Sequence, residues 1–81
     1  MKYTVYILVS SKDEKRYIGM TSDLERRFED HSRGLVKSTK YRRPLKLVYT
    51  EEYNGKKEAH DRENFFKTGK GREYLNNLGI K

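Results

Sequence analysis

Apolar positions along this chain switch between two spacings, and each switch marks an element. Residues 2–10, KYTVYILVS, are rich in Val, Ile, Tyr and Thr, with apolar residues on both faces, the pattern of a central strand. SSKDEK is polar turn material and RYIGM is short and β-like, so residues 2–20 read as a hairpin. SDLE then forms a capping box, Ser22 accepting from the Glu25 amide, and opens a helix that runs to Gly34 as its C′ residue. LVKSTKYRRP is a basic loop that ends at the sole proline. LKLVYTEEY reads as a third strand broken by Asn-Gly, KKEAHDRENFFKT as a second helix stopped near Gly69. In the tail GREYLNNLGIK, helical spacing of Tyr74, Leu75 and Leu78 predicts a last short helix. The order β-β-α-β-α-(α) predicts one α+β domain over residues 1–81, a small three-stranded antiparallel sheet flanked by helices.

The first helix breaks its own amphipathic rule. With Leu24 at zero and about 100° per residue, Phe28 falls near 40° and Leu35 near 20°, an apolar stripe. Arg27 at about −60° and His31 at about −20° lie in or beside that stripe, while Arg26 and Arg33 point away. The second helix repeats the anomaly. From Ala59 at zero, Phe66 lies near −20°, Arg62 near −60° and Glu63 near 40°, with Asp61 and Asn64 outward. Inward charges must meet one another, a metal, or solvent in a cleft, because isolated buried charges are too costly.

Composition narrows the partners. Hydrophobic residues are 33%, charged residues 38%, and seven tyrosines with three phenylalanines supply much of the burial. A chain of 81 residues buries only about 60% of its unfolded surface, so the core is small. Nineteen Lys and Arg give a net charge of +7, a field that favours polyanions, nucleic acid above all. Cysteine is absent, which removes disulfides and thiolate metal sites. The apolar N-terminal run is too short for a signal peptide and runs into a turn, and no stretch approaches the roughly 20 apolar residues of a membrane helix. The expectation is a soluble intracellular protein without a membrane partner.

For Glu63 three readings stand: a structural ion pair with Arg27 or Arg62, a hard oxygen ligand for Mg²⁺, or a general base. Zinc is disfavoured, since His31 and His60 lie on different helices and no cysteine accompanies them. With no nucleophilic cysteine, nucleophile elbow or phosphate-cradling glycine loop, tyrosines are left as proton-transfer candidates. Tyr6 and Tyr17, on the paired strands of the hairpin, are core aromatics or catalytic groups by the same token.

These residues carry a resemblance. VYI at Val5–Ile7 and YIG at Tyr17–Gly19, followed by Arg27, by His31 and by the lone Glu63 on a later helix, resemble the GIY-YIG nuclease domain over essentially the whole chain. The chain looks most like small stand-alone bacterial members, including the basic FFKTGKGREYL, and is similar in turn to the N-terminal nuclease domain of the excision-repair incision subunit. The resemblance implies a divalent-metal-dependent endonuclease that hydrolyses DNA phosphodiesters, in repair or recombination, in the bacterial cytoplasm. It implies that Glu63 binds one Mg²⁺ (or Mn²⁺), and that Arg27 holds the phosphate oxygens. Tyr17 then takes the proton of the attacking water, aided by His31 or Tyr6. A phenol is a poor base at neutral pH unless positive charge favours the phenolate, and an inward Arg27 is such a charge. The chain departs from the pattern at Thr4, where the first motif has glycine, and at Met20, where some relatives have a lysine that assists the tyrosine.

The remaining cations suit phosphate contacts. Lys37, Lys40, Arg42 and Arg43 cluster before the third strand; Lys67, Lys70 and Arg72 follow the second helix. Their alternative is a solvated face. Tyr41, in the first cluster, either packs on the sheet, the favoured reading, or stacks on an unpaired base. DNA is the expected partner, with RNA left open, and for a nuclease module without a targeting domain specificity is expected to be weak, structural or supplied by a partner protein. Two rival readings are a non-catalytic nucleic-acid-binding module and an adapter for an acidic protein.

Overall fold

The β-branched and aromatic run at the N-terminus forms strand β1 (Tyr3–Ser10), and the polar turn returns the chain as β2 (Arg16–Thr21). The computed structural model describes residues 2–80. After β2 come helix α1 (Leu24–Ser32), a 3₁₀ turn (Lys40–Arg42), strand β3 (Leu45–Tyr53), and helices α2 (Lys56–Phe66) and α3 (Gly69–Asn77). The sheet has the order β2-β1-β3 and both pairings are antiparallel, so the expected α+β architecture and element order are those observed.

Burial follows from that order. β1 lies between two partners, and Val5, Tyr6, Ile7 and Leu8 are all buried. Val5 and Ile7 cluster with Ala59, Phe66 and Leu75, so α2 and α3 cover that face. Each such side chain contributes roughly 1.5–3 kcal/mol relative to exposure. The helices meet tightly: a Cβ on Gly71 would lie 2.0 Å from the Phe65 carbonyl oxygen, which explains the second glycine of TGKG. Alternate residues of β1, among them Tyr6, face the other way, toward α1.

β3 carries an irregularity. Ile7 pairs with Tyr49 but Leu8 pairs with Leu47, so Val48 is the extra residue of a bulge.

Several boundaries differ from the sequence expectation. The N-cap of α1 is Asp23, whose carboxylate accepts from the Arg26 amide at 3.2 Å, in place of Ser22 in a capping box. A carboxylate at that position also meets the helix dipole favourably. Gly34, at φ +77°, ends α1 as expected, with Leu35 donating to Asp30 and Gly34 to His31 in a Schellman pattern. Leu35 therefore lies beyond the helix and is 64% exposed, outside the apolar stripe. Gly69 begins α3 and does not stop α2. Thr68 separates the two helices and caps the second, accepting from the Gly71 amide.

Candidate active site

The centre of the site is a phenol laid across a glycine. Tyr6 on β1 faces Gly19 on β2 across the ladder, and a Cβ on residue 19 would lie 2.5 Å from Tyr6 Oη. Tyr17, at the neighbouring same-face position of β2, brings its ring to 6.4 Å from that of Tyr6. α1 supplies the third ring. His31, fully buried, stands edge-on to both tyrosines, at 5.7 Å from Tyr6 and 4.9 Å from Tyr17.

Hydrogen bonds join these groups. His31 Nε2 lies 3.0 Å from Tyr6 Oη, and Nδ1 lies 2.8 Å from Thr39 Oγ1. Arg27, one turn before His31 on α1, donates its Nε–H to Tyr6 Oη at 3.4 Å. The inward pair on α1 is thus turned to the tyrosines, as the helical spacing predicts.

The electrostatics follow from burial. Desolvation, helped by the Arg27 charge, lowers His31 to about 4, so its ring is neutral at pH 7. Burial raises Tyr6 despite the hydrogen bond from Arg27, and the charges of Tyr17 and Glu63 add to the rise. Arg27 is held above its usual value first by its bond to Tyr6, with Tyr17 adding to it, so the guanidinium faces both phenols. Among the described residues no carboxylate pairs with Arg27.

Glu63 comes from α2. Its side chain is 15% exposed, and its partner is Lys67 Nζ at 3.1 Å. The ion pair with Arg27 or Arg62 considered from the sequence is not formed, because Arg62 binds Glu51 on β3, Nε to Oε1 at 2.8 Å. Among the described residues no group of three His, Cys, Asp or Glu side chains gathers as a metal cluster. The donor set here is a single carboxylate, Glu63, whose charge is felt at Tyr6, and one carboxylate suits a hard ion that keeps most of its waters, Mg²⁺ or Mn²⁺, and not zinc.

The basic residues divide by their engagements. Arg42 is turned into the protein, its guanidinium bonded to Asp13 and to the carbonyls of Lys15 and Arg16. Arg43 donates to the carbonyls of Lys40 and Ser32. Lys37, Lys40, Lys70 and Arg72 are exposed. Tyr41 is 77% exposed with Lys40 Nζ 5.5 Å from its ring centre, so it does not pack on the sheet. A cleft of 890 Å³ opens beside Tyr17, lined among others by Lys15, Arg16, Lys67 and Arg72. Lys15, Arg16 and Thr39 were missed from the sequence. The first two sit in what reads as turn material and strand, and Thr39 sits in a loop without periodicity.

The sheet carries paired tyrosines, joined by an arginine and a histidine from the first helix, with a glutamate on the second. The chain belongs to the GIY-YIG family: residues 2–76 match the model of the GIY-YIG catalytic domain. It is 47% identical to the UPF0213 protein CPE1444 of Clostridium perfringens over 78% of this chain and 68% of that one. It is 40% identical to the UPF0213 protein YazA of Bacillus subtilis over 76% and 64%. The solution structure of the UPF0213 protein BH0048 from Bacillus halodurans superposes with a TM-score of 0.61 at 36% identity, covering 96% of this chain and 85% of that one. Among the described residues no helix is long and apolar enough to cross a membrane.

Proposed function

We propose that this chain is a divalent-metal-dependent endonuclease that hydrolyses DNA phosphodiester bonds in the bacterial cytoplasm, in repair or recombination. The observation that carries the reading is Arg27: a half-buried cation bonded to a buried tyrosine, with no carboxylate paired to it among the described residues. A cation so placed is suited to a phosphate, whose oxygens take its planar donors as charge builds on them. Tyr17, as its phenolate, accepts a proton from water as that water's oxygen attacks phosphorus, the bond to the 3′ oxygen breaks, and the departing 3′ oxygen takes a proton from solvent. The products are a 5′-phosphate and a 3′-hydroxyl. Tyr6, itself fixed by His31, holds Arg27 in place. Glu63 is the residue that would bind Mg²⁺ or Mn²⁺; when bound, the ion neutralises charge on the phosphate and the departing oxygen.

Phosphates flanking the scissile bond lie against the exposed cations. Lys67 and Arg72 line the cleft beside Tyr17, with Lys70 next to them in sequence, and Lys37, Lys40 and Arg43 are exposed in the loop before β3. A targeting partner supplies the choice of site.

The test is cleavage of end-labelled single-stranded, duplex and branched DNA, and of RNA, by wild type and Glu63→Ala. Cutting that needs Mg²⁺ and disappears in the variant supports the enzyme; equal cutting by both overturns the site. The Lys67–Glu63 pair favours one alternative, a binding module in which the glutamate survives as an ion-pair partner. That reading replaces the first if neither protein cuts and both bind DNA with a steep salt dependence.

A further inference from the structure

We propose that Thr39 is a positioning residue of this site: its buried hydroxyl selects the tautomer of His31 and so turns the hydrogen of Tyr6 away from the reacting cleft. The effect on catalysis rests on the nuclease reading above; the tautomer itself does not.

The hydrogen bonds leave little freedom. Thr39 and His31 are both 0% exposed and Tyr6 is 1% exposed, so none of the three exchanges partners with bulk water. His31 is neutral at pH 7 and carries one ring N–H. Two arrangements satisfy its two contacts. In one, Thr39 donates to Nδ1 and Nε2–H donates to Tyr6 Oη. Tyr6 then receives two donors, from His31 and from Arg27 Nε, and its own hydrogen has no acceptor among these neighbours. A buried hydroxyl hydrogen without a partner is costly.

In the other arrangement every hydrogen is used. Arg27 Nε–H donates to Tyr6 Oη, and Tyr6 O–H donates to His31 Nε2. His31 Nδ1–H then donates to Thr39 Oγ1, and Thr39 O–H to the Val36 carbonyl at 3.5 Å. Thr39 stands at the N-cap of the 3₁₀ turn but its side chain makes no cap bond, which leaves His31 and the Val36 carbonyl as its partners.

The consequence reaches the cleft through His31. With its hydrogen held by Nε2, the Tyr6 oxygen presents only lone pairs to Arg27 and to whatever lies beside it. It accepts from the Arg27 guanidinium and has no hydrogen left to donate toward the cleft. The opposite tautomer would reverse that polarity.

The experiment is two-bond ¹H–¹⁵N correlation of the histidine rings at neutral pH, with exposed His60 as the reference. Wild type is expected to show His31 protonated at Nδ1. Thr39→Val, close in shape, is expected to move the ring to the Nε2–H form or a mixture, and Thr39→Ser to restore Nδ1–H. An Nε2–H ring in wild type, or a ring unchanged in Thr39→Val, overturns the inference whether or not the protein cuts DNA. In the cleavage assay Thr39→Val is expected to lower kcat about tenfold, the worth of one hydrogen bond at a reacting centre, with KM little changed and Thr39→Ser near wild type. A correct tautomer in a protein that never cuts would count against the nuclease reading alone. A shifted tautomer with undiminished kcat would overturn the catalytic half of the inference.

Discussion

Two groups of polar side chains turn inward in this protein, and they end differently. On the α2 side, the Glu51 carboxylate accepts from Tyr49, from Tyr53 at 2.6 Å and twice from Arg62. Arg62 also lies over the rings of Phe65, Phe66 and Tyr74, with centroids 4.6–4.8 Å away. Every charge there has its partner inside the protein. Burial alone would raise the Glu51 carboxyl, but the bonds from Arg62 and the two tyrosines outweigh it and hold the group below the usual range. On the α1 side, the chain from Arg27 to Thr39 is satisfied at its inner end and open at its outer end, where Arg27 has no counter-charge among the described residues. Both groups looked alike as inward charges on helices. Closure marks the first as structural, and on the proposed nuclease reading the open end of the second, Arg27, is where a phosphate would bind.

The comparison breaks most sharply with two arginines. Arg27→Ala is expected to lower kcat by about 10²–10³-fold while thermal unfolding stays near wild type, as measured by initial rates and calorimetry. Arg62→Ala should do the reverse, costing about 3 kcal/mol in urea unfolding by stranding Glu51, with the folded fraction keeping its activity. Equal effects of the two on both assays would erase the distinction.

The pH dependence of stability sharpens it. His31 protonates near 6.5 when unfolded and only near about 4 when folded, so as pH falls the unfolded state binds the proton first. Its contribution is complete above pH 6.5, declines between 6.5 and 4, and is gone below; about 3 kcal/mol is at stake. Urea titrations across that window should show the loss in wild type and a flatter profile in His31→Gln.

Gly19→Ala pushes against the Tyr6 phenol and is expected to cost about 1–3 kcal/mol, with Arg27→Ala adding little further loss of activity on that background. Smallest is the pair Lys15→Ala with Arg72→Ala. DNA affinity without metal should fall, and the slope of log affinity against log salt should flatten by about 0.9 for each phosphate no longer neutralised.

Much of the site was legible because it sits on short-range periodicity. The angles of Arg27 and His31 on α1 depend only on residues within two turns, and the structure places both beside the hairpin tyrosines. The partner of Arg62 was not legible, since Glu51 comes from another element and its approach depends on how β3 lies over α2. Ser22 and Asp23 are both good caps in sequence, and the local backbone chose between them. Thr39 gave no signal, because a loop residue becomes informative only when its fold neighbour is known. Tyr41 was read as packing by residue type, but the 3₁₀ turn carries it outward.

The bulge at Val48 bears on how relatives of different length are aligned. Leu47 and Tyr49 already pair with consecutive residues of β1, so a homologue lacking residue 48 would have an unbroken ladder and every other partnership unchanged. A one-letter gap there costs the packing of the Val48 side chain against the core but leaves the faces of the strand in place. The same gap within Tyr17–Gly19 would exchange inside for outside along half of β2 and take the tyrosine off its face. Insertions and deletions in this family are therefore not equivalent characters: one strand tolerates a change of length, and the other encodes the site in its parity.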